Sequence, residues 1–343
     1  MFALDQADLK RRYGIVFMPS LGKDGIPGLR FMDHEKAWDA QPSLITAANA
    51  GVPSMFTTFV DPKVIEVVIS PTKAAELYGE TKKGTWIDDT AMFLMAERTG
   101  ETASYDDFSQ DGVSNANVNY PQRQSYHYQT NTRWGERQVE RAAAGKIDWA
   151  NQVNMASALT LKKQENAFYL YGVNGLQNYG GTNDPSLSAP IVPTASWFST
   201  DSLTIYGDIL RLVQLLIAQY GGLIDGEHPM TLGISPGNKV NLNNTTQYNV
   251  NAMTNILTNF PNMKFVTVPE FAINGGGGAG GTELVQLIAG AVEGQVTCEA
   301  AFTEKMRAHA IVTKTSSWEQ KKSQGSWGTV IYRPVGIAQM YGA

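Results

Sequence analysis

The residues from Tyr126 to Trp134 alternate strictly between two kinds of side chain. One face carries Tyr126, Tyr128, Thr130, Thr132 and Trp134, and the other carries His127, Gln129, Asn131 and Arg133. Such alternation predicts a two-faced strand, and residues 86–98 can supply its antiparallel partner. Polar, acidic, Gly- and Asn-rich residues lie between the two. The sequence therefore predicts a long β-ribbon with an acidic tip. A solitary two-stranded ribbon is marginal in water, so it should rest on another surface.

Charged residues of opposite sign accompany the predicted ribbon. Its tip carries five carboxylates, Glu97, Glu101, Asp106, Asp107 and Asp111. Arg133, Arg137 and Arg141 follow at helical spacing, which predicts that they share one face. The two sets can pair within one subunit, where exposed ion pairs contribute little, or between subunits, where many copies add up. These eight residues are therefore candidate inter-subunit contacts.

Residues 148–171 give the strongest helix signal. Asp148 can cap the start, and Gly172 suits the end. At about 1.5 Å per residue, the helix is roughly 35 Å long. Its apolar residues are not confined to one stripe, which predicts contact on two sides. One side carries Trp149, Val153, Ala156 and Ala167, and the other carries Ala158, Leu161 and Phe168.

The remaining patterns mix helices and strands. A second amphipathic helix is predicted over residues 202–222, with Tyr206, Ile209, Leu210, Val213, Leu216, Ile217 and Tyr220 on one face. Elsewhere the patterns predict two strands over 55–70, a short helix over 71–80 with Pro71 at its start, strands over 230–235, 263–271 and 282–292, a helix near 250–260, and three strands over 302–340 with a turn at Gln324-Gly325-Ser326.

Composition limits the function. The 343 residues are 43% hydrophobic and carry a net charge of -5 without a basic tail, so any contact with nucleic acid should be weak or indirect.

Residues 1–50 are rich in chain breakers and predict an extended arm or an irregular terminus. A single cysteine, Cys298, fits a reducing compartment. The chain has no signal-peptide pattern and no run near the roughly 18 apolar residues of a membrane span, which predicts a cytoplasmic protein.

The glycine-rich stretch AINGGGGAGGTE, from Ala272 to Glu283, satisfies G-x-G-x-x-G twice. A dinucleotide site needs these glycines to open a helix, whereas the following TELVQLIAGAV favours a strand. No Gly-Lys-Ser/Thr follows either, so a phosphate-binding loop is not predicted. We interpret the run as a flexible loop formed by Gly275, Gly276, Gly277, Gly278, Gly280 and Gly281.

The stretch GISPG around Ser235 matches the G-x-S-x-G nucleophile elbow. In that motif the residue after the serine donates its N–H to the oxyanion, but Pro236 has no N–H. No aspartate lies between Ser235 and His309 to complete a triad. A strand that ends at a Pro-Gly turn is the simpler interpretation, and a serine hydrolase using Ser235 is kept as an alternative.

Metal-binding and acid–base patterns are also absent from the sequence. The four histidines, His34, His127, His228 and His309, are spread singly, without a second ligand at metal-binding spacing. The pairs Asp88-Asp89 and Asp106-Asp107 are adjacent, so on a strand each pair would point to opposite faces. The sequence therefore predicts no catalytic, cofactor-binding or metal residue, and it favours a chain built from surfaces.

The order of arm, ribbon, long helix, mixed block and returning strands resembles the major capsid proteins of tailed bacteriophages, which have the Hong Kong 97-type fold shared with encapsulins. Three stretches carry the resemblance: AFYLYGVNGLQNYGGTNDPSLSAPIVPT, TLGISPGNKVNL and FTEKMRAHAIVTKTSSWEQKKSQGSWGTVIYRPVGIAQM. The resemblance implies an α+β fold in which copies form hexamers and pentamers of an icosahedral shell around double-stranded DNA. An encapsulin-like nanocompartment shell is the alternative.

The resemblance also implies a domain map. Residues 1–50 would be the N-terminal arm, and residues 84–134 the extended loop. Residues 51–83, 135–195 and 315–343 would form the peripheral domain, with the helix at 148–171 as its spine. Residues 196–314 would form the axial domain, where the glycine loop could adapt to five-fold and six-fold surroundings.

Partners follow from the same resemblance. Some members weld subunits through a lysine in the extended loop, but no lysine lies between Lys83 and Lys146. Overlapping arms and ribbons, ion pairs between subunits or a cement protein would then stabilise the shell. If Met1 and the bulky Phe2 begin the mature chain, no N-terminal scaffolding segment has been cut away, and a separate scaffolding protein is then expected. A portal is a further expected partner. The protein is expected in the virion capsid, made in the host bacterial cytoplasm, with DNA contacted weakly and no membrane contact.

Overall fold

The computed structural model describes residues 72–245, 251–273 and 282–343, which all fall within one compact unit. The predicted arm at 1–50, the strands at 55–70, Pro71 and the glycine loop at 275–281 lie outside these ranges. The described α-helices are α1 Ala74–Tyr78, α2 Glu136–Ala144, α3 Trp149–Tyr171, α4 Ser202–Gln219, α5 Pro236–Asn241 and α6 Ala252–Asn259. The described strands are β1 Glu80–Lys82, β2 Thr90–Met92, β3 Met95–Gly100, β4 Ser114–Asn119, β5 Gln122–Gln124, β6 Tyr126–Gly135, β7 Gly172–Val173, β8 Asn178–Tyr179, β9 Met230–Ile234, β10 Met263–Thr267, β11 Leu284–Ala289, β12 Cys298–Thr313, β13 Ser317–Ile331 and β14 Ile337–Tyr341.

The first sheet has the strand order β1–β12–β13–β6 and is covered by the long helix α3. β1 runs parallel to β12, whereas β13 is antiparallel to both β12 and β6. Phe168 of α3 meets the rings of Tyr126 and Tyr128 edge-on, with centroids 5.2 and 4.9 Å away. Leu161 is also buried, and Leu170 is fully buried in a core cluster that includes Ala300 of β12 and Ile331 of β13. Aromatic and aliphatic contacts therefore hold the helix on the sheet.

α3 begins and ends as the sequence predicts. The Asp148 carboxylate accepts a hydrogen bond from the Asn151 N–H at 3.2 Å. Gly172 has a φ of 66°, and a Cβ there would lie 2.3 Å from the Asn178 carbonyl oxygen, so only glycine fits. Of the two predicted contact sides, the one with Leu161 and Phe168 is buried, whereas Trp149 on the other side is 39% exposed. Val153 and Ala167 on that second side are half-buried, so the second contact is only partial within the described part of the chain.

The second sheet has the order β10–β9–β11–β14 and carries helices α4 and α6. β9 and β10 are parallel, and β11 is antiparallel to β9 and β14. Its core includes Leu232, Leu287 and Met340, all fully buried. The buried face of α4 is rotated from the predicted one, because Ile205 and Leu212 are fully buried while the predicted Tyr206 and Leu210 are half-buried.

The ribbon projects from the first sheet. β2 pairs with β5 at its base, and β3 pairs with β4 farther out, with residues 101–113 as the tip. All residues of β3 and β4 are exposed. The ribbon therefore has no core of its own.

The predicted pairing of residues 126–134 with residues 86–98 is wrong. β6 is two-faced as predicted, but it pairs in register with β13, from Tyr126 opposite Ser326 to Gly135 opposite Ser317. The residues in 86–98 pair with β4 and β5 instead. Alternation specifies the two faces of a strand and not its neighbour, and the aromatic face of β6 needs the cover that α3 provides.

The predicted turn at Gln324-Gly325-Ser326 is also wrong, because β13 runs straight through it. The actual turn follows β12, where the Lys314 N–H donates to the Ser317 carbonyl at 2.7 Å. A Cβ on Gly325 would lie 2.1 Å from Thr303 Oγ1 and 2.7 Å from the His127 ring. This glycine therefore permits close packing between strands rather than a turn.

The strand order bears on the expected domain boundary at residues 314 and 315. That boundary separates β12 from β13, which pair over most of their length. It also places β14 with the first sheet, although β14 pairs with β11 in the second. Grouping by sheet would therefore assign β12 to the body that contains α3, and β14 to the body that contains α4.

Replacement of Gly325 by alanine tests the close packing. We expect Gly325→Ala to lower the free energy of unfolding by about 1–3 kcal/mol, because the new Cβ must displace neighbouring side chains. Gly207→Ala is the matched control: it lies within α4, where a Cβ would meet no atom within 4 Å. Gly207→Ala should raise the free energy of unfolding by about 0.5–1 kcal/mol. Urea unfolding of the full-length chain measures both, and equal effects would contradict the packing role.

Candidate assembly surfaces

The acidic residues predicted at the ribbon tip are all exposed. Glu97 lies on β3, and the other four lie on the tip at residues 101–113. Asp107 accepts a hydrogen bond from the Tyr105 hydroxyl at 2.6 Å, and Asp106 accepts one from the Phe108 N–H at 3.1 Å. Among the described residues, none of the five carboxylates forms an ion pair. Their charge is thus available to a partner.

Large apolar side chains on the ribbon are exposed as well. Phe108 is 96% exposed and Tyr105 is 91% exposed at the tip, and Ile87 is 84% exposed near the base. Burying a side chain such as Phe is favourable by about 1.5–3 kcal/mol, and neighbouring exposed apolar side chains typically mark an interaction surface. The sequence prediction missed this feature, although two aromatic residues within a polar loop were visible in the sequence.

The three arginines do not form one helical stripe. Helix α2 begins at Glu136, so Arg133 lies on β6 and forms an ion pair with Glu319 of β13 at 3.0 Å. Arg137 and Arg141 are exposed on α2, four residues apart. Arg137 lines an open depression between α2 and the turn before β13. Two of the three predicted arginines therefore remain candidate contacts, and Arg133 already has a partner within the subunit.

The base of the ribbon is fixed to the body by a buried ion pair. Arg123 of β5 contacts the Asp184 carboxylate at 2.5 Å, and the Asp184 side chain is only 1% exposed. The Arg123 guanidinium also lies 4.8 Å from the centre of the Tyr179 ring. Asn178 donates through Nδ2 to the Gln124 carbonyl at 3.0 Å. The ribbon thus has a rigid base and an unattached tip.

A second ion pair fixes the chain where it leaves the first sheet. Lys83 Nζ lies 2.8 Å from Glu299 Oε2, and the Trp327 indole N–H donates to the Lys83 carbonyl at 2.9 Å. Burial alone would raise the pKa of Glu299, but hydrogen bonds from Lys83 and Thr81 outweigh it and leave that pKa below its ordinary value. Both chain segments at the ribbon base are therefore held.

Ser235 does not occupy a catalytic environment. It lies between β9 and α5, so the stretch is a strand followed by a short helix and not the expected Pro-Gly turn. The Ser235 side chain is fully buried, and its Oγ accepts the Asn238 N–H at 3.1 Å as a helix cap. His309 lies on β12 in the other sheet, with Nε2 2.8 Å from Ser323 Oγ. The structure does not bring Ser235 and His309 together as a pair.

Other candidate chemistry is not assembled in the described part of the chain. Residues 72–245, 251–273 and 282–343 contain no group of three or more His, Cys, Asp or Glu side chains placed to hold a metal. The six glycines of the loop lie outside those ranges, and the chain after them enters strand β11 rather than a helix. No described helix is both long and apolar enough to cross a membrane.

Comparisons with known proteins agree with this fold. The model of the Pa193 gp26 major capsid protein family matches residues 43–342. The capsid of Myoviridae Phage XM1 is similar with a TM-score of 0.73 at 10% identity, over 86% of this chain and 100% of that chain. The structure from Gordonia phage Cozz is similar with a TM-score of 0.60 at 11% identity, over 88% of this chain and 98% of that chain. The capsid of a native GTA particle is similar with a TM-score of 0.59 at 10% identity, over 83% of this chain and 95% of that chain. The predicted α+β fold of the Hong Kong 97 type is confirmed. No curated protein sequence matches significantly.

Removal of the Arg123 side-chain charge tests the rigid base. We expect Arg123→Met to lower the free energy of unfolding by about 3 kcal/mol, because it leaves the buried Asp184 carboxylate without a cation. Arg133→Met is the matched control, since the Arg133 side chain is 70% exposed. It should lower the free energy of unfolding by less than about 1 kcal/mol. Urea unfolding and the rate of protease cleavage at the ribbon base measure the difference. Similar losses in both variants would contradict the anchoring role.

Proposed function

Because this chain belongs to the family of the Pa193 gp26 major capsid protein, we propose that it is the coat subunit of a tailed bacteriophage that forms hexamers and pentamers of an icosahedral shell. The shell encloses a double-stranded DNA genome. The subunit itself is a structural protein and not an enzyme, with no cofactor. It is made in the bacterial host cytoplasm and resides in the virion capsid.

One observation carries this proposal: the ribbon presents side chains that the described part of its own chain leaves unused. Phe108 and Tyr105 are almost fully exposed, and the carboxylates around them have no ion pair among the described residues. A second copy that covers the ribbon removes this apolar surface from water. The exposed side of α3 around Trp149 is a further surface for such contact.

Charge complementarity indicates how copies pair. Arg137 and Arg141 are exposed cations on α2, and the ribbon tip is an exposed cluster of carboxylates. A single exposed ion pair contributes about 0–1 kcal/mol, but a shell repeats each pair in every subunit. The tip of one copy therefore contacts α2 of a neighbour in the assembled shell.

The proposed assembly includes other protein partners. The expected ones are a scaffolding protein, a portal and a cement protein. Contact with packaged DNA is weak and non-specific, since a net charge of -5 gives no strong grip on phosphates. The glycine loop at 275–281 adapts the axial part of the subunit to five-fold and six-fold positions.

The first experiment is expression of the full-length chain, followed by light scattering and negative-stain microscopy. We expect megadalton rings or closed shells. A stable monomer at high concentration would reject the coat function. Particles from the native host that hold enzyme cargo and lack nucleic acid would instead indicate a nanocompartment shell.

Charge reversal tests the predicted contact between the tip and α2. Asp106→Lys combined with Asp107→Lys should reduce the yield of closed shells, because like charges then face each other. Arg137→Glu combined with Arg141→Glu should do the same. All four changes together should restore the yield, as measured by sedimentation of particles.

Asp106→Asn with Asp107→Asn serves as the control, since it removes charge without reversing it and should have the smaller effect. Failure of the four-fold variant to recover, with folded subunits by circular dichroism, would exclude this pairing.

A further inference from the structure

The hydroxyl of Tyr169 lies between two carboxyl groups under the long helix. Its oxygen is 2.9 Å from Glu165 Oε1, one turn earlier on α3, and 2.9 Å from Glu80 Oε1 on β1. Tyr169 is 1% exposed, and Glu165 is 9% exposed. This cluster joins α3 to the edge of the first sheet, where β1 pairs with β12.

The number of protons in this cluster is fixed by its geometry. A phenol has one O–H and can donate to only one of the two carboxyl oxygens. One O–H shared between two carboxylates would make two weak bonds. The second oxygen, at the same hydrogen-bonding distance, is better paired when it donates a proton of its own to the phenol oxygen, because two acceptors facing each other without a proton repel. One of the two carboxyl groups is therefore a carboxylic acid.

The surroundings decide which carboxyl group holds the proton. Glu80 forms an ion pair with Lys305 of β12, which stabilises its carboxylate. Within the described ranges, Glu165 has no ion pair, although Lys162 and Glu76 line the same cavity.

Lys305 also favours the charged form of Glu165, but burial disfavours that form more strongly. Glu76 of α1 already pairs with Lys73 at 2.6 Å and Lys264 at 3.6 Å. Tyr128 of β6 faces Glu165 from the sheet, and its buried hydroxyl has no hydrogen-bond partner among the described residues. The proton therefore belongs on Glu165.

We propose that Glu165 is a carboxylic acid in the folded subunit and donates to Tyr169, which donates to the Glu80 carboxylate held by Lys305. This chain of hydrogen bonds is a proton-dependent link between α3 and the sheet edge. The link goes beyond the proposed coat function, since it concerns the charge state inside each subunit and holds whether or not copies assemble.

The link weakens as pH rises. Burial is the largest influence on Glu165 and raises its pKa, and the charge of Glu80 raises it further. A hydrogen bond from Tyr169 to the ionised form of Glu165 and the charge of Lys305 oppose this rise. A carboxyl group with a raised pKa in the folded state stabilises the fold fully below the pKa of the unfolded chain, and this contribution is lost as pH rises through the folded pKa. Ionised Glu165 and Glu80 would then compete for one phenolic proton.

Infrared difference spectroscopy of the full-length protein, with pH raised from about 5 to about 9, tests this assignment. The wild-type protein should lose a buried carboxylic-acid C=O band at a pH above the ordinary range for glutamate. Glu165→Gln should remove this band, because the amide replaces the acid and can still donate to Tyr169. Glu80→Gln should retain the band, although it should be lost at a lower pH because the charge of Glu80 no longer raises the pKa of Glu165. Hydrogen exchange of α3 around residue 165 should quicken over the same pH step in the wild type and not in Glu165→Gln.

Glu270 requires its own control because burial also raises its pKa. Glu270→Gln should remove only the contribution of Glu270 and leave the Glu165 band. Absence of any such band in Glu270→Gln, which keeps Glu165 intact, would overturn the proposal, and so would absence of the band in Glu80→Gln. Neither outcome depends on whether Glu165→Gln folds. Shell formation tests the coat function separately, so the two ideas can fail independently.

Discussion

The buried ammonium group of Lys322 fixes the register between the long helix and the first sheet. Lys322 is 6% exposed on β13, and its Nζ donates to Asn154 Oδ1 at 3.0 Å and to Ser157 Oγ at 2.7 Å. Burial lowers the pKa of Lys322, yet the oxygen atoms of α3 compensate for the lost water. Because such bonds are directional, they favour one position of α3 on the sheet. The buried cluster around Tyr169 and the aromatic contacts of β6 depend on that position.

The ribbon inherits its position from the same sheet. β6 pairs with β13 at the edge of the sheet, and Arg123 on the preceding strand is fixed to the buried Asp184. The attachment extends to Phe93, whose ring meets Tyr332 of the body edge-on with centroids 6.0 Å apart. Farther out, the paired strands β3 and β4 are exposed, and a two-stranded ribbon is marginal without a supporting surface. In the proposed assembly, this combination gives the ribbon a defined reach and lets its tip conform to a neighbouring subunit.

Local signals in the sequence predicted local structure well. The caps of α3 at Asp148 and Gly172 and the alternation of β6 depend on neighbouring residues, so they could be read directly. Contacts between residues far apart in the sequence could not be predicted in this way. The pairing of β6 with β13 depends on which strand the fold brings alongside, and the role of Gly325 depends on Thr303 and His127 from two other strands. The arginine stripe failed for a similar reason, because helix α2 starts only after Arg133.

The division between a fixed base and a free tip affects how the molecule can be altered. Residues 101–113 make no ion pair with the rest of the described chain, whereas the base at Arg123 does. Peptide insertions at the tip should therefore leave the monomer intact, as exposed loop ends usually tolerate them. In the proposed assembly, the same freedom would let the tip change together with the neighbouring surface that it contacts. Such changes would alter the contact between copies without altering the body of the subunit.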